Sequence, residues 1–148
     1  MADLSDSVVD LKEYYTLMDK HKCDAILGSR FIKGSIVKNY PISKYILNRI
    51  ANNIISLIFF VKYNDCTNAF KIYKRSTLLK LFPLVSENFN IFLELPLKII
   101  YRRYNYKIIP ISWTGRKKGI TKFYFRDLGS KYIFTLLYCL LEKILLKK

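Results

Sequence analysis

The residues most clearly able to bind a ligand or take part in a reaction lie in the segment 64–75, which reads NDCTNAFKIYKR. Asp65, Cys66, Thr67 and Asn68 come near its start, and the alternation of apolar and basic residues after them predicts a short strand. Polar side chains at the mouth of a strand are what a ligand site requires. A polar turn between two core elements explains the segment equally well when it is taken alone.

Arg30 is a second residue that could bind a ligand. It follows residues 25–27, which we predict to form a short buried strand that ends at Gly28 and Ser29. An arginine at the carboxyl end of a strand lies where α/β folds bind ligands, and a guanidinium can hold a phosphate through two hydrogen bonds. A surface arginine without a ligand fits the same residues.

A glycine-containing basic loop is predicted at 113–122. Its sequence is WTGRKKGITK, and its basic residues are Arg116, Lys117, Lys118 and Lys122. These charges would attract phosphate, and Gly115 and Gly119 would allow the loop to move. Ordinary solvated loop charge is the alternative.

The first residues combine acids and hydroxyl groups. Asp3, Ser5, Asp6 and Ser7 precede a predicted helix, and Ser7 with Asp10 makes a weak capping box. That helix has apolar residues at helical spacing, namely Val8, Leu11, Tyr15 and Met18. The polar cluster could cap the helix, or it could place a carboxylate against a metal ion and phosphates.

The segment 42–61 predicts a long helix with a continuous apolar stripe. The stripe consists of Ile46, Leu47, Ile50, Ile54, Leu57, Ile58 and Val61. Its polar face carries Lys44, Asn48, Arg49, Asn52 and Asn53. Such a face is usually solvated, although these side chains could also border a site.

A further helix is predicted within 87–104, with Glu94 in its apolar part. A carboxylate there is costly unless it is paired, so it should find a partner or face a polar cavity. Pro96 fits poorly inside a helix, which predicts a start or a kink near Glu94. The segment 107–112 predicts a strand, and Pro110 indicates an edge or irregular position.

The last segment, 127–148, predicts a helix with apolar residues at helical spacing. Its stripe contains Ile133, Leu136, Leu137, Leu140, Leu141, Ile144 and Leu145. This helix could pack on the domain, or it could lie in a membrane interface with Lys147 and Lys148 toward the headgroups. The stripe fits both positions equally, and Phe134, Tyr138 and Cys139 widen the apolar surface and favour some membrane or partner contact.

Composition limits the class of protein. The 148 residues are 51% hydrophobic and carry a net charge of +15, which suits one globular domain with anionic partners. No nucleic-acid recognition motif is present, so nucleic acid is not an expected partner. Three widely spaced cysteines predict neither a zinc site nor a disulfide framework and fit a cytosolic setting. The single histidine, His21, is expected to be solvated.

Six blocks, in this order, carry a resemblance to a known family: MADLSD, ILGSRF, ISKYILNRIANNIISL, DCTNAFKIYKR, FLELPLKIIYRRYNYKIIPIS and GRKKGITKF. Together they resemble the C-terminal part of family-2 glycosyltransferases with the GT-A fold, in particular the dolichyl- and polyprenyl-phosphate mannosyl- and glucosyltransferases. The resemblance implies an α/β fold, an incomplete GT-A (Rossmann-like) domain with short strands packed by helices. Residues 1–126 would form the acceptor-side part of that domain, and residues 127–148 an amphipathic helix.

The resemblance also implies roles for individual residues. Asp3 and Ser5 would be ligands of Mg²⁺ or Mn²⁺, with Met1 where the family has another acid. The catalytic residues would be Asp65, Glu94, Arg116 and Lys122. The substrate-binding residues would be Arg30, Arg49, Thr67, Asn68, Gly119 and Thr121. The chain departs from the family pattern at Asn68–Ala69, which replaces Ser–Gly, and at Lys71, which replaces Arg.

The implied function is metal-assisted, inverting transfer of a sugar from a nucleotide-sugar donor to an acceptor, expected to be a polyprenyl phosphate. The protein would then act peripherally at the cytoplasmic face of a membrane. The family has a nucleotide-binding half before its acidic motif, so we expect this chain to be truncated or split and inactive without a separate N-terminal half. The alternative is a membrane-surface or phosphate-binding module without catalysis.

Overall fold

The computed structural model describes residues 5–115 and 125–146, and the side chains of the last helix from residue 129 onward. Its helices are α1 (Val8–Lys20), α2 (Ile42–Phe59), α3 (Arg75–Lys80), α4 (Ile91–Tyr101) and α5 (Phe125–Leu145). Its strands are β1 (Ala25–Ser29), β2 (Ile36–Lys38), β3 (Lys71–Tyr73), β4 (Tyr106–Pro110) and β5 (Ser112–Thr114). This mixed α/β architecture confirms the predicted fold class and is consistent with an incomplete Rossmann-like domain.

The central sheet has the strand order β3–β1–β4. Strand β1 is buried along its whole length, runs parallel to β4 and pairs antiparallel with β3. In this register Ala25 lies opposite both Tyr73 and Tyr106. Strands β2 and β5 pair in parallel as a second, two-stranded sheet. Side chains at the carboxyl end of β1 therefore project from the middle of the central sheet.

Hydrophobic clusters cover both faces of β1, because successive side chains of a strand point to opposite faces. Leu27 belongs to a cluster that includes Phe59 of α2 and Leu97 of α4. Ile26 belongs to a second cluster with Tyr14 and Met18 of α1. Helix α1 is thus on one face of the sheet, and α2 and α4 are on the other.

Helix α5 packs against α4, with Thr135 and Cys139 fully buried. Its other side exposes a set of apolar residues, namely Ile133, Phe134, Leu137, Leu141, Ile144 and Leu145. The helix therefore contacts the domain and also retains an apolar outer surface. The proposed boundary between residues 126 and 127 stays a prediction.

Several predicted elements need correction. The buried residues of α1 are Tyr14 and Met18, whereas Val8, Leu11 and Tyr15 are exposed, because the face that meets the sheet is rotated from the predicted stripe. Helix α4 begins at Ile91, ahead of Glu94.

The connections between elements also differ from expectation. Gly34 and Pro41 predict a loop at residues 33–41, but β2 lies within this region because it pairs with β5. The strand predicted at 107–112 is two strands, and Pro110 ends β4 at the edge of the central sheet, as expected for a residue without an N–H. Within the described residues, none of the helices has both the length and the hydropathy needed to cross a bilayer.

Candidate functional site

The centre of the candidate site is a salt bridge between Arg30 and Asp65. Arg30 Nε donates to Asp65 Oδ2 at 2.9 Å, and Nη2 donates to Oδ1 at 2.7 Å. The backbone N–H of Arg30 also donates to Oδ2, at 2.9 Å. The structure thus brings the end of β1 and the segment 64–68 together, as the ligand-site interpretation expected. Both oxygens of the carboxylate are occupied.

Aromatic rings surround the Arg30 guanidinium. Its carbon lies 5.2 to 5.7 Å from the ring centres of Phe31, Tyr40 and Trp113, and Nη1 donates to the Tyr40 hydroxyl at 3.4 Å. Burial alone would lower the pKa of Arg30, but the hydrogen bonds and charge of Asp65 raise it above its usual value. Arg30 is therefore a fixed positive charge, and Nη1, which donates to Tyr40, is the guanidinium nitrogen that does not donate to Asp65.

Asn64 connects this pair to β1 and α2. Ser29 Oγ donates to Asn64 Oδ1 at 2.7 Å, and Asn64 Nδ2 donates to the Phe31 carbonyl at 3.1 Å. Arg49 Nη1 donates to the Asn64 carbonyl at 3.4 Å, and its guanidinium carbon lies 4.7 Å from the centre of the Phe31 ring. Arg30 and Arg49 consequently both lie against the Phe31 ring.

Thr67 is fixed by the polar face of α2. Asn48 and Asn52 each donate an amide hydrogen bond to Thr67 Oγ1, at 3.0 and 3.1 Å. Asn52 is fully buried and Asn48 and Arg49 are half-buried, so this part of the polar face lies against the protein, whereas Asn53 is exposed. The open question about this helix is resolved in favour of a face that borders the candidate site.

Asn68 forms a turn on the end of β1. Its Nδ2 donates to the Gly28 carbonyl at 3.1 Å, and its Oδ1 accepts from the Phe70 N–H at 3.1 Å. This second bond is the local closure that asparagine favours in turns. Ala69 does not have a positive φ, so its backbone conformation does not require glycine. The departure from the family pattern at 68–69 is accommodated here.

Gly28 is required because several groups converge on it. The Tyr63 hydroxyl donates to its carbonyl at 2.7 Å, alongside the amide of Asn68. A Cβ at this position would lie 1.9 Å from the Tyr14 hydroxyl and 2.8 Å from the Phe70 carbonyl. No side chain fits this space, so glycine allows the turn to close on β1.

Lys71 is a site residue to which sequence reasoning gave no role. Its Nζ donates to the carbonyls of Cys66 and Phe92, at 2.8 and 2.7 Å, and to that of Asn68. Pro96 lacks the N–H that would bond the Phe92 carbonyl four residues earlier in α4, and Lys71 takes its place. Pro96 signals in the sequence that a helix carbonyl needs another donor, but it does not identify Lys71 as that donor.

Burial dominates the chemistry of this segment. It raises the pKa of the Cys66 thiol to about 12, so the thiol stays protonated near neutral pH and is not a nucleophile there. Burial also lowers the pKa of Lys71 to about 7. The ammonium of Lys71 is thus held by carbonyl oxygens in surroundings that disfavour its charge.

Glu94 finds partners, as expected for a buried carboxylate. It accepts from the backbone N–H groups of Val85 and Ser86, the latter at 2.8 Å, and it pairs with Lys98 Nζ at 3.0 Å. Lys98 also lies 3.4 Å from Glu142 of α5. These contacts join α4 to its preceding loop and to α5, and none of them involves Arg30 or Asp65. The catalytic role of Glu94 stays a prediction.

The described residues do not form a metal site by themselves. They contain no group of three or more His, Cys, Asp or Glu side chains that could hold an ion. Ser5 is buried, and its carbonyl accepts from the Thr114 N–H at 2.9 Å. Asp3, the expected main ligand, lies outside the described residues. So do four other predicted site residues, Arg116, Gly119, Thr121 and Lys122.

A cleft of about 410 Å³ lies elsewhere in the described structure. Its lining includes Glu87, Asn88 and Asn90 from the loop before α4 and Lys131 and Phe134 from α5. None of its lining residues was predicted to bind substrate. The predicted residues that the structure does bring together are Arg30, Arg49, Asp65, Thr67 and Asn68.

Comparison with known proteins shows distant similarity. The chain is similar to the polyprenol monophosphomannose synthase of Mycolicibacterium smegmatis, with 28% identity over 101 residues. The similarity covers 67% of this chain and 38% of the relative's length. No family model matches the sequence. The similarity supports a general relationship to glycosyltransferases.

Proposed function

We propose that this chain provides the acceptor-side part of a glycosyltransferase that moves a sugar from a nucleotide-sugar to a polyprenyl phosphate. The observation that carries the proposal is the convergence of Arg30, Arg49 and the segment 64–68 at the carboxyl end of β1. The distant similarity to a polyprenol monophosphomannose synthase supports the same reaction class. Inversion by a single displacement is what the family resemblance implies.

The required chemistry matches these groups. As the sugar leaves its nucleotide, negative charge develops on the departing diphosphate, and fixed cations stabilise it. A phosphate acceptor is already ionised near neutral pH, so the reaction needs no strong general base. Arg30 and Arg49 are permanent cations, and we assign them to phosphate binding. Arg116 and Lys122 would contribute further positive charge.

Asp65 has a positioning role in this proposal. Both of its oxygens accept hydrogen bonds from Arg30, which fixes the guanidinium and leaves Nη1 as the nitrogen proposed to bind a phosphate. Thr67 and Asn68 hold the segment against α2 and β1. A divalent ion, Mg²⁺ or Mn²⁺, would neutralise diphosphate charge when bound, with Asp3 and Ser5 as its proposed ligands.

The proposed reaction also requires a nucleotide-binding half and a membrane. A nucleotide-binding half, separate or continuous with this chain, would hold the donor. The protein would work at the cytoplasmic face of a membrane, where a polyprenyl phosphate is accessible. Both statements follow from the resemblance and from the basic, partly apolar surface.

Calorimetric titration with citronellyl phosphate, a short water-soluble isoprenoid phosphate, tests acceptor binding. We expect saturable binding that Arg49→Gln weakens about tenfold, because one charged phosphate contact is lost. Arg49 makes one long hydrogen bond, so its loss should leave the fold intact. Lys62→Gln is the matched control, since Lys62 is exposed near the same helix. No saturable binding, or equal weakening by both variants, would contradict the proposal.

A further inference from the structure

Lys71 extends from β3 toward the segment 65–68 and the start of α4. An ammonium group has three N–H donors. Lys71 Nζ has three carbonyl partners, those of Cys66, Asn68 and Phe92. The contacts with Cys66 and Phe92 are 2.8 and 2.7 Å long. Each donor of this side chain is therefore matched to one backbone acceptor.

Two of these carbonyls belong to one turn. The Asn68 N–H donates to the Asp65 carbonyl at 3.1 Å, which closes residues 65–68 into a turn. Lys71 binds a carbonyl in the middle of this turn, from Cys66, and the carbonyl at its end, from Asn68. The first residue of the same turn is Asp65, whose carboxylate fixes the Arg30 guanidinium. Lys71 and Arg30 are therefore joined through the turn 65–68.

The third carbonyl belongs to a different element. Phe92 lies in the first turn of α4, and Pro96, four residues later, has no N–H to donate to its carbonyl. The bond from Lys71 replaces that missing helix hydrogen bond. Lys71 thus does two separable things: it completes the hydrogen bonding of α4, and it holds the turn 65–68 at a set distance from that helix.

Side-chain contacts keep the turn attached when Lys71 is changed. Thr67 Oγ1 accepts hydrogen bonds from two asparagines of α2. Asn68 Nδ2 donates to the Gly28 carbonyl of β1. Neither contact uses the backbone carbonyls that Lys71 binds. Loss of the Lys71 ammonium should therefore shift the turn 65–68 rather than release it.

We propose that Lys71 is a positioning residue of the acceptor site, which sets the place of the turn 65–68 and, through Asp65, the direction of the Arg30 guanidinium. This inference rests on the proposed function, because Arg30 is assigned there to the acceptor phosphate. Lys71 itself contacts carbonyl oxygens and acts on the phosphate only through the turn.

Calorimetric titration with citronellyl phosphate at pH 6.5, below the Lys71 pKa of about 7, tests this role. We expect Lys71→Met to weaken binding about tenfold, because Arg30 is no longer held in direction. Lys71→Arg keeps the charge and the N–H donors, so it should recover most of the native affinity. Lys143→Met is the matched control, since Lys143 also donates to a backbone carbonyl, that of Phe59 at the end of α2. It should keep the native affinity.

A second pair of variants separates the two effects of Lys71. Pro96→Ala returns an N–H that can donate to the Phe92 carbonyl, so α4 is completed without the lysine. Lys71→Met/Pro96→Ala should regain part of the urea stability lost in Lys71→Met. Its affinity for citronellyl phosphate should stay about tenfold below that of Pro96→Ala. Full recovery of affinity in the double variant would overturn the inference, because Lys71 would then act only on α4.

Hydrogen exchange at the Arg30 N–H, which donates to Asp65 Oδ2 at 2.9 Å, reports the turn without any ligand. We expect exchange about tenfold faster in Lys71→Met/Pro96→Ala than in Pro96→Ala. Unchanged exchange, or equal affinities of Lys71→Met and the native chain, would overturn the inference and leave the proposed function standing. If the native chain bound no citronellyl phosphate, the proposed function would fail, and exchange at Arg30 would still decide whether Lys71 positions the turn.

Discussion

At the scale of single residues, the Arg30–Asp65 pair is both a structural bond and the proposed phosphate-binding group. Asp65 is fully buried and Arg30 nearly so. A buried carboxylate with two occupied oxygens is poorly placed to accept a proton from a substrate. Its value to the site is that it fixes the direction of a permanent cation.

Asp65→Asn should lower the free energy of unfolding by about 3 kcal/mol, because it leaves the Arg30 charge buried without its partner. Urea denaturation followed by circular dichroism measures this. Asp19→Asn, an exposed acid on α1, is the control and should change stability by less than about 0.5 kcal/mol. Equal stability of Asp65→Asn and the native chain would show that the pair does not hold this region together.

Lys71 should make the free energy of unfolding depend on pH. Its native pKa is lowered from 10.5 to about 7 by burial, so between these values the unfolded chain binds more protons than the folded one. Its contribution to the free energy of unfolding should therefore rise as pH increases through this window, and be least favourable below pH 7.

The measurement is urea denaturation of native protein and Lys71→Met at pH values below and above 7. The native chain should gain stability relative to the variant as pH rises. Lys80→Met, at an exposed lysine, should run parallel to the native chain. Parallel curves for Lys71→Met and the native chain would show that Lys71 is not perturbed.

At the scale of elements, patterns of hydrophobicity predicted where helices and strands occur better than which way they face. Strand β1 and helix α2 follow directly from an apolar run and a helical stripe. The inward polar face of α2 could not be predicted, because its amide groups are satisfied by Thr67, which is distant in sequence. The place of Lys71 depends likewise on a carbonyl freed by a proline in another element.

Helix α4 is held by a buried charge network, and Glu94→Gln tests it. Removing the charge leaves Lys98 with the carbonyls of Leu81 and Pro83 and the more distant carboxylate of Glu142, so we expect a loss of about 2–4 kcal/mol in the free energy of unfolding. A double-mutant cycle with Lys98→Met should give a coupling above about 1 kcal/mol. Glu87→Gln, at an exposed acid, serves as the control. Independent effects of the two substitutions would contradict the network.

At the scale of the whole molecule, the sequence predicted the α/β class and the convergence of two separate segments on one site. Arg30 and the segment 64–68 were identified separately, and the structure joins them. The acidic motif and the basic loop lie outside the described residues, so Asp3, Arg116 and Lys122 stay predictions. The similarity covers 38% of the relative's length, and the activity of a complete enzyme is accordingly proposed here.

The most direct test of that proposal is transfer of radiolabelled sugar into organic-extractable lipid. The chain would be combined with a separately expressed nucleotide-binding half, a divalent cation, a polyprenyl phosphate, and GDP-mannose or UDP-glucose. We predict labelled lipid that requires the acceptor and the cation, and that falls about tenfold with Arg49→Gln but not with Lys62→Gln. No labelled lipid from either donor, with both components folded, would contradict the account.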